Sequence, residues 1–341
     1  MSAAVDGAAV GGAGGDVAAS DVAASDVAIA EVVRSGFVEG RHYGRVLALA
    51  ADGSAVIALG AVDEPIFPRS ANKPLQAVGM LRAGLDLEGP LLALAAASHA
   101  GTDAHVRLAE EILTRYRIDP EALANTPMLP LDEAVSRDRL AHGLGEDRLR
   151  ANCSGKHAAM LATCAVAGWP TSGYLEAGHP LQLALRDTAA ELAGEAVAAT
   201  GVDGCGAPVF AMSLRGLARA FRRLVRAEPG TPERRVADAM RAHPWVVAGH
   251  GRGVTLLMEG VPGLLVKDGA EGVLAAALPD GRVVTVKMSD GAGRGVLPVA
   301  VASLRELGVD AAVLEELAST PVLGHGVAVG AVRATGIGAP G

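Results

Sequence analysis

Strand-like segments stand at both ends of this chain and helical patterns fill the middle. That order limits the fold more than any other feature. Near the N-terminal end Val32–Val38 and Arg45–Ala50 alternate as strands do, and an Asp52-Gly53 turn leads to a third strand, Ala55–Leu59. Helical periodicity then takes over. Val106, Ala109, Ile112, Leu113 and Tyr116 share one face over Asp103–Tyr116, and similar patterns cover Ala158–Ala167, Pro180–Leu192, Ser213–Arg226 and Pro232–Ala242. Strand-like pieces return at Thr255–Met258, Gly263–Val266 and Arg282–Val286, before a helix from Leu297 to Leu307. Strands from the two ends bury their apolar faces by pairing with one another. The pattern predicts an α+β protein with one antiparallel sheet completed by both termini, a helical insertion, and a cleft between them.

Half of the 341 residues are hydrophobic but only 3% are aromatic, which predicts a core of Leu, Val and Ala layers. Thirty basic against 38 acidic residues give a net charge of −8, and no Lys/Arg cluster forms a basic face, so nucleic acid is not an expected partner. Apolar stretches such as Leu91–Ala97 fall far short of the ~20 residues that span a bilayer, and no membrane role is expected. The first basic residue is Arg34, and three cysteines, Cys153, Cys164 and Cys205, are too few for a disulfide framework. Both features predict a cytoplasmic protein with free or metal-bound thiols. Residues 1–30 stand apart: Asp16–Ser20 and Asp21–Ser25 repeat DVAAS, and Asp26–Ala30 nearly does. They read as a low-complexity, disordered tail ahead of one domain over 31–341.

Four segments carry groups suited to chemistry. Ser70 and Lys73 form Ser-x-x-Lys, which on a helix puts amine and hydroxyl on one face. Pro74 belongs in a first turn, so the helix begins near Ser70, where backbone N–H groups can hold an oxyanion. To act as a base the amine must be neutral, which calls for burial and a second cation nearby. Ser-x-x-Lys also arises by chance on solvated helix faces. Ser98 reads either as a second catalytic hydroxyl or as the cap of a helix starting near Thr102. Cys153, Lys156 and His157 lie in Asn152–His157, and Asp203 and Cys205 in a glycine-flanked turn. Two thiolates can bind zinc but fall short of its usual ligand number, and buried free thiols are the plainer reading. Lys267, in Lys-Asp-Gly at a strand end, is either a cleft-wall cation or a turn lysine.

Together these segments resemble the L-asparaginase II family of rhizobial-type, thermolabile asparaginases. The resemblance runs from about Glu31 to the C-terminal region. It is carried by PRSANKPLQA at 68–77, NCSGKHAAMLATC at 152–164, HPLQ at 179–182, VDGCGAP at 202–208 and KDGAEGV at 267–273. It implies a fold similar to serine β-lactamases and glutaminases, and hydrolysis of L-asparagine to L-aspartate and ammonia through a serine acyl-enzyme. Ser70 matches the nucleophile and Lys73 its base, with Ser98 and Lys267 as a second Ser–Lys pair. Cys153, Lys156 and Cys205 match a zinc site completed by water. Arg69, Asp203 and His157 become the expected substrate contacts, Arg69 for the carboxylate and Asp203 for the ammonium. A homodimer is implied as well. His99-Ala100-Gly101-Thr102 and Val247–Thr255 depart from the family's usual wording, which bears on substrate affinity and selectivity. The alternatives are a penicillin-interacting serine hydrolase, and a non-catalytic zinc or amino-acid binding protein on the same scaffold.

Overall fold

The computed structural model of the chain describes residues 26–338, so most of the expected tail, 1–25, lies outside the described residues. The expected tail boundary at residue 30 is corrected. The first strand begins at Val27, and Asp26 is buried with its carboxylate accepting from Arg45 Nε at 2.7 Å. A buried ion pair anchors the start of the domain inside the last DVAAS-like unit.

Eight antiparallel strands form the main sheet. They are β1 (Val27–Arg34), β2 (Phe37–Leu49), β3 (Ala55–Leu59), β4 (Leu265–Gly269), β5 (Val273–Ala277), β6 (Val283–Met288), β7 (Ser319–Gly324) and β8 (Val327–Ala334). Their order is β7-β8-β1-β2-β6-β5-β4, with β3 also pairing to β2. The first and last strands are neighbours, with Val32 opposite Val332. Both termini complete the sheet, as the α+β pattern predicts.

Two local expectations change. The segment Val32–Val38 is not one strand but the end of β1, a two-residue turn and the start of β2. Ser35 and Gly36 turn with φ of 48° and 83°, the pair of positive angles that a tight hairpin needs. Apolar alternation runs through such a short turn unbroken, which hides it. Thr255–Met258 is helical, inside Gly253–Gly260. Val254, Thr255, Leu257 and Met258 are its buried residues, a spacing of three and four that fits a helix rather than a strand.

The helices used below are α1 (Lys73–Arg82), α2 (Gly89–Ala95), α3 (Asp103–Arg115), α4 (Ser154–Ala167), α5 (Pro180–Ala193), α6 (Leu214–Arg226), α7 (Pro232–Ala242), α8 (Gly253–Gly260) and α9 (Val296–Glu306). Every residue of β5 is buried, so both faces of the sheet centre are covered; α6 and α9 both pack on β5 and β6. Helix α1 runs through the helical layer against α4, α5 and α7, and every residue from Lys73 to Leu81 is buried. A Cβ on Gly79 would meet Leu185 Cδ2 at 2.8 Å, so glycine lets α1 and α5 approach closely. The sheet edge β4 thus packs against the turn that leads into α1. Among the described residues no helix is long and apolar enough to cross a membrane.

Candidate active site

Ser70 does not share a helix with Lys73. Arg69–Asn72 forms a 3-10 turn, and α1 begins only at Lys73, with Pro74 in its first turn where no N–H is needed. Arg69 holds a left-handed backbone, φ 51°, a conformation that costs energy for a residue with a side chain. Its guanidinium donates to Asp203 Oδ1 at 2.7 Å and lies 3.6 Å from Glu271 Oε1. The two residues expected to grip substrate are therefore tied to each other. This pair also clamps the Ser70 turn to the loop that carries Cys205. Gly269, at the end of β4, abuts the same turn: a Cβ there would overlap Pro68 O and sit 3.3 Å from Ser70 N. Only glycine lets the strand edge come up against the Ser70 amide.

The Lys73 amine turns to the other serine. Nζ donates to Ala97 O at 2.6 Å and to Ser98 Oγ at 3.0 Å. Burial lowers Lys73 to about 7; Cys153 pulls it back up, while Lys267 and Lys156 push it further down. Ser98 does not cap α3, whose N-cap is Thr102. The Ser98 loop is held from behind by His99. The Gly101 N–H donates to His99 Nδ1 at 3.1 Å, so His99 Nε2 carries the proton and donates to Ser154 Oγ at 2.9 Å. Burial, then His105 and Lys73, keep His99 neutral by lowering it well below the usual range. That bond joins the Ser98 loop to the first residue of α4.

The expected Ser98–Lys267 pair does not form. Lys267, wholly buried, donates to Asp268 O at 2.7 Å and Asp268 Oδ1 at 2.6 Å. Burial lowers Lys267, with Asp268 opposing and Arg252 adding to the fall. Its charge reaches Lys73 and lowers it further.

Cys153, Lys156 and His157 open α4, and Cys205 arrives on the loop after Val202. The Sγ atoms of Cys153 and Cys205 and a ring nitrogen of His157 lie within 4.8 Å of one another, all buried. Lys156 Nζ donates to Cys205 Sγ at 3.2 Å. A hydrogen bond from Cys153 holds Cys205 far below the usual thiol range, helped by the Lys156 charge, while that bond and burial push Cys153 up. Burial works against the Lys156 charge, but Cys205 and Cys153 raise it above its ordinary value. His157 is lowered to about 4 by burial and Lys156, and is neutral. Its Nδ1 meets the Tyr174 hydroxyl at 2.8 Å, and its Nε2 is buried with no hydrogen-bond partner among the described residues.

An orphaned, neutral imidazole nitrogen beside two thiols fits a zinc ion, and the donor set is of the right chemistry. Tyr174 fixes the ring as an outer partner of a metal-bound histidine does. His157, expected at substrate, thus sits with the thiols; a cysteine and a histidine four apart on one helix were the legible signal. Cys164 lies apart from the cluster, buried in α4.

The L-asparaginase II family profile matches residues 30–334. The chain belongs to the L-asparaginase II family. Membership makes it a hydrolase and points to a small amide substrate. No curated protein matches the chain. Solved structures with a similar course include a putative beta-lactamase from Bacteroides dorei DSM 17855, 15% identical, with TM-score 0.43 over 77% of this chain and 94% of that one. A beta-lactamase from Burkholderia vietnamiensis is 16% identical, with TM-score 0.34 over 73% of this chain and 86% of that one. EstCE1, a hydrolase with promiscuous acyltransferase activity, is 12% identical, with TM-score 0.37 over 82% and 93%. The candidate site of this asparaginase II family member thus has three parts: the Ser70 turn against Gly269, the Lys73–Ser98 bond, and the thiol cluster.

Proposed function

We propose that the protein hydrolyses the side-chain amide of L-asparagine through an acyl-enzyme on Ser70. The observation that carries this reading is Lys73: buried, brought to about 7, and hydrogen-bonded to Ser98 at 3.0 Å. An amine in that state is neutral in about half the molecules near neutral pH and can take a proton from a hydroxyl.

Ser70 Oγ attacks the carboxamide carbon and its proton passes to Lys73. The Ser70 N–H, against the β4 edge, stabilises the oxyanion. Collapse breaks the C–N bond, and Ser98 hands the proton from Lys73 to the leaving nitrogen, giving ammonia. Water then attacks the ester and gives a proton to Lys73, which passes it to Ser70 Oγ as the C–O bond breaks, restoring the hydroxyl and the neutral amine and releasing L-aspartate. Arg69 and Asp203 exchange their mutual ion pair for the carboxylate and ammonium of the substrate. Cys153, Cys205 and His157 would hold zinc, with Lys156 able to take a fourth position once it gives up its proton. Zinc bound there supplies a fixed positive charge beside the substrate. The chain's own contribution is to hold Cys205 as a thiolate and to keep the Asp203 loop over Ser70.

Ammonia release from asparagine and glutamine, measured side by side, tests the reading. Ser70→Ala is expected to cut release from asparagine by ~10³-fold or more with an unchanged circular dichroism spectrum. Wild-type turnover by that variant removes Ser70 from the mechanism. Fluorescent penicillin is expected to leave the wild type unlabelled; a Ser70-dependent label would favour the penicillin-interacting alternative. Elemental analysis is expected to find one zinc per chain, lost in Cys205→Ser; a zinc-free wild type leaves the cluster as thiols.

A further inference from the structure

Beside the Ser70 turn the sheet edge opens into a separate cavity of about 250 Å³, between the start of α8, the end of β4 and the start of α9. That is below the ~300 Å³ at which pockets begin to hold drug-sized ligands, a size suited to one small molecule. Arg252 and Asp268 are its charged lining residues, and the other lining residues are glycines and aliphatics, Gly253, Gly269, Val273 and Leu297 among them. Arg252 is partly buried and stands at the N-cap of α8, but its side chain makes no capping bond, no other hydrogen bond and no ion pair among the described residues. Its stem lies beside Gly249, where a Cβ would sit 3.3 Å from Arg252 Cδ and collide with Ala100, two residues beyond Ser98. Asp268 gives Oδ1 to Lys267 and keeps a third of its side chain exposed, with Oδ2 unpartnered among the described residues. The field of Arg252 falls on both Lys267 and Asp268.

One unpartnered guanidinium and one open carboxylate oxygen in a small apolar-walled hollow are the complement of a zwitterion. We propose that this cavity binds an α-amino acid, its carboxylate on Arg252 and its ammonium on Asp268. Under the function proposed above, Arg69 and Asp203 serve the substrate, so the occupant is a second amino acid beside the acyl site; only its identity as asparagine or aspartate rests on that reading. The same chemistry could come from the head group of the substrate itself, reaching over Gly269.

Calorimetric titration of the full chain with L-aspartate tests this, with asparagine kinetics alongside. Two sites are expected in the wild type and one in Arg252→Gln, with KM for asparagine moving less than ~3-fold. Loss of the sole aspartate site together with a KM raised more than ~10-fold keeps the cavity as the zwitterion site and assigns it to the substrate's own head group. Identical aspartate stoichiometry, affinity and KM in wild type and variant overturn the proposal. Arg252→Lys is expected to restore part of the binding. Leu297→Trp, which fills the hollow without touching either charge, is expected to remove the same site if Arg252→Gln proves unstable. Titration needs no turnover. A protein that releases no ammonia yet loses a site with Arg252 keeps the cavity and loses the asparaginase reading; ammonia release with no Arg252-dependent site does the reverse.

Discussion

Lys73 is tuned near neutrality because three things act on one buried amine: the removal of water, the Lys267 and Lys156 charges, and the opposing pull of Cys153. The sign of the pH dependence follows. Lys73 works as the neutral amine, so kcat/KM for asparagine is expected to rise with pH through about 7 and level off above it. Lys267→Met removes a cation that lowers Lys73 and leaves Asp268 as a new anion nearby. Both changes favour the charged amine, and the rising limb is expected to move to higher pH by ~1 unit. A pH–rate profile that stays in place would separate Lys267 from the tuning of Lys73. Residue types such as Ser70, Lys73, Ser98, Lys267 and the thiols are legible in the sequence because each motif needs its own chemistry. Their partners are not. Lys73 bonds Ser98 and Lys267 bonds Asp268, since a long flexible amine goes to whichever acceptor burial leaves nearest, and spacing along the chain does not encode that choice.

At the scale of elements, the 3-10 turn is what separates Ser70 from the helix that carries Lys73. Pro74 marks the helix start, but nothing in the local pattern says that the residues before it wind tightly with Arg69 left-handed. That conformation is held from outside, by Asp203 on one side and β4 on the other. Gly269→Ala tests the second support. A Cβ there overlaps Pro68 O, so either β4 or the Ser70 turn must move, and a shift of ~1 Å in a reacting group costs up to about 10²-fold in rate. The variant is expected to lose at least ~10-fold in kcat while urea unfolding shows a loss of only ~1–3 kcal/mol. An unchanged kcat would detach β4 from the oxyanion site. The same scale explains the two misread segments. A two-residue turn at Ser35-Gly36 leaves strand alternation intact, and a four-residue apolar run is too short to choose between helix and strand.

In the whole molecule, chain ends far apart in sequence build one sheet against which the helices pack. β1 lies between β2, its hairpin partner, and β8, the last strand. Helix α9 then packs on β8, β1, β6 and β5 and holds that distant pairing down. That both chain ends supply one sheet follows from strand patterns before the first helix and at Gly263–Val266 and Arg282–Val286, because such strands bury their apolar faces by pairing with one another. The β7–β8 hairpin itself is not visible in the pattern, since half its residues are exposed and Gly330 interrupts the alternation where a side chain would collide with β1. A chain ending at Ala318 would keep every group of the candidate site but strip the partner from β1, exposing a row of unpaired backbone groups and the buried Val32. It is expected to aggregate on expression or refolding and to release no ammonia. The soluble fraction and a urea melt beside the full chain check this. A cooperative melt with the same midpoint as the full sequence would mean that β4, β5, β6 and β2 carry the site alone, and that closure of the sheet by its two ends plays no part in holding it.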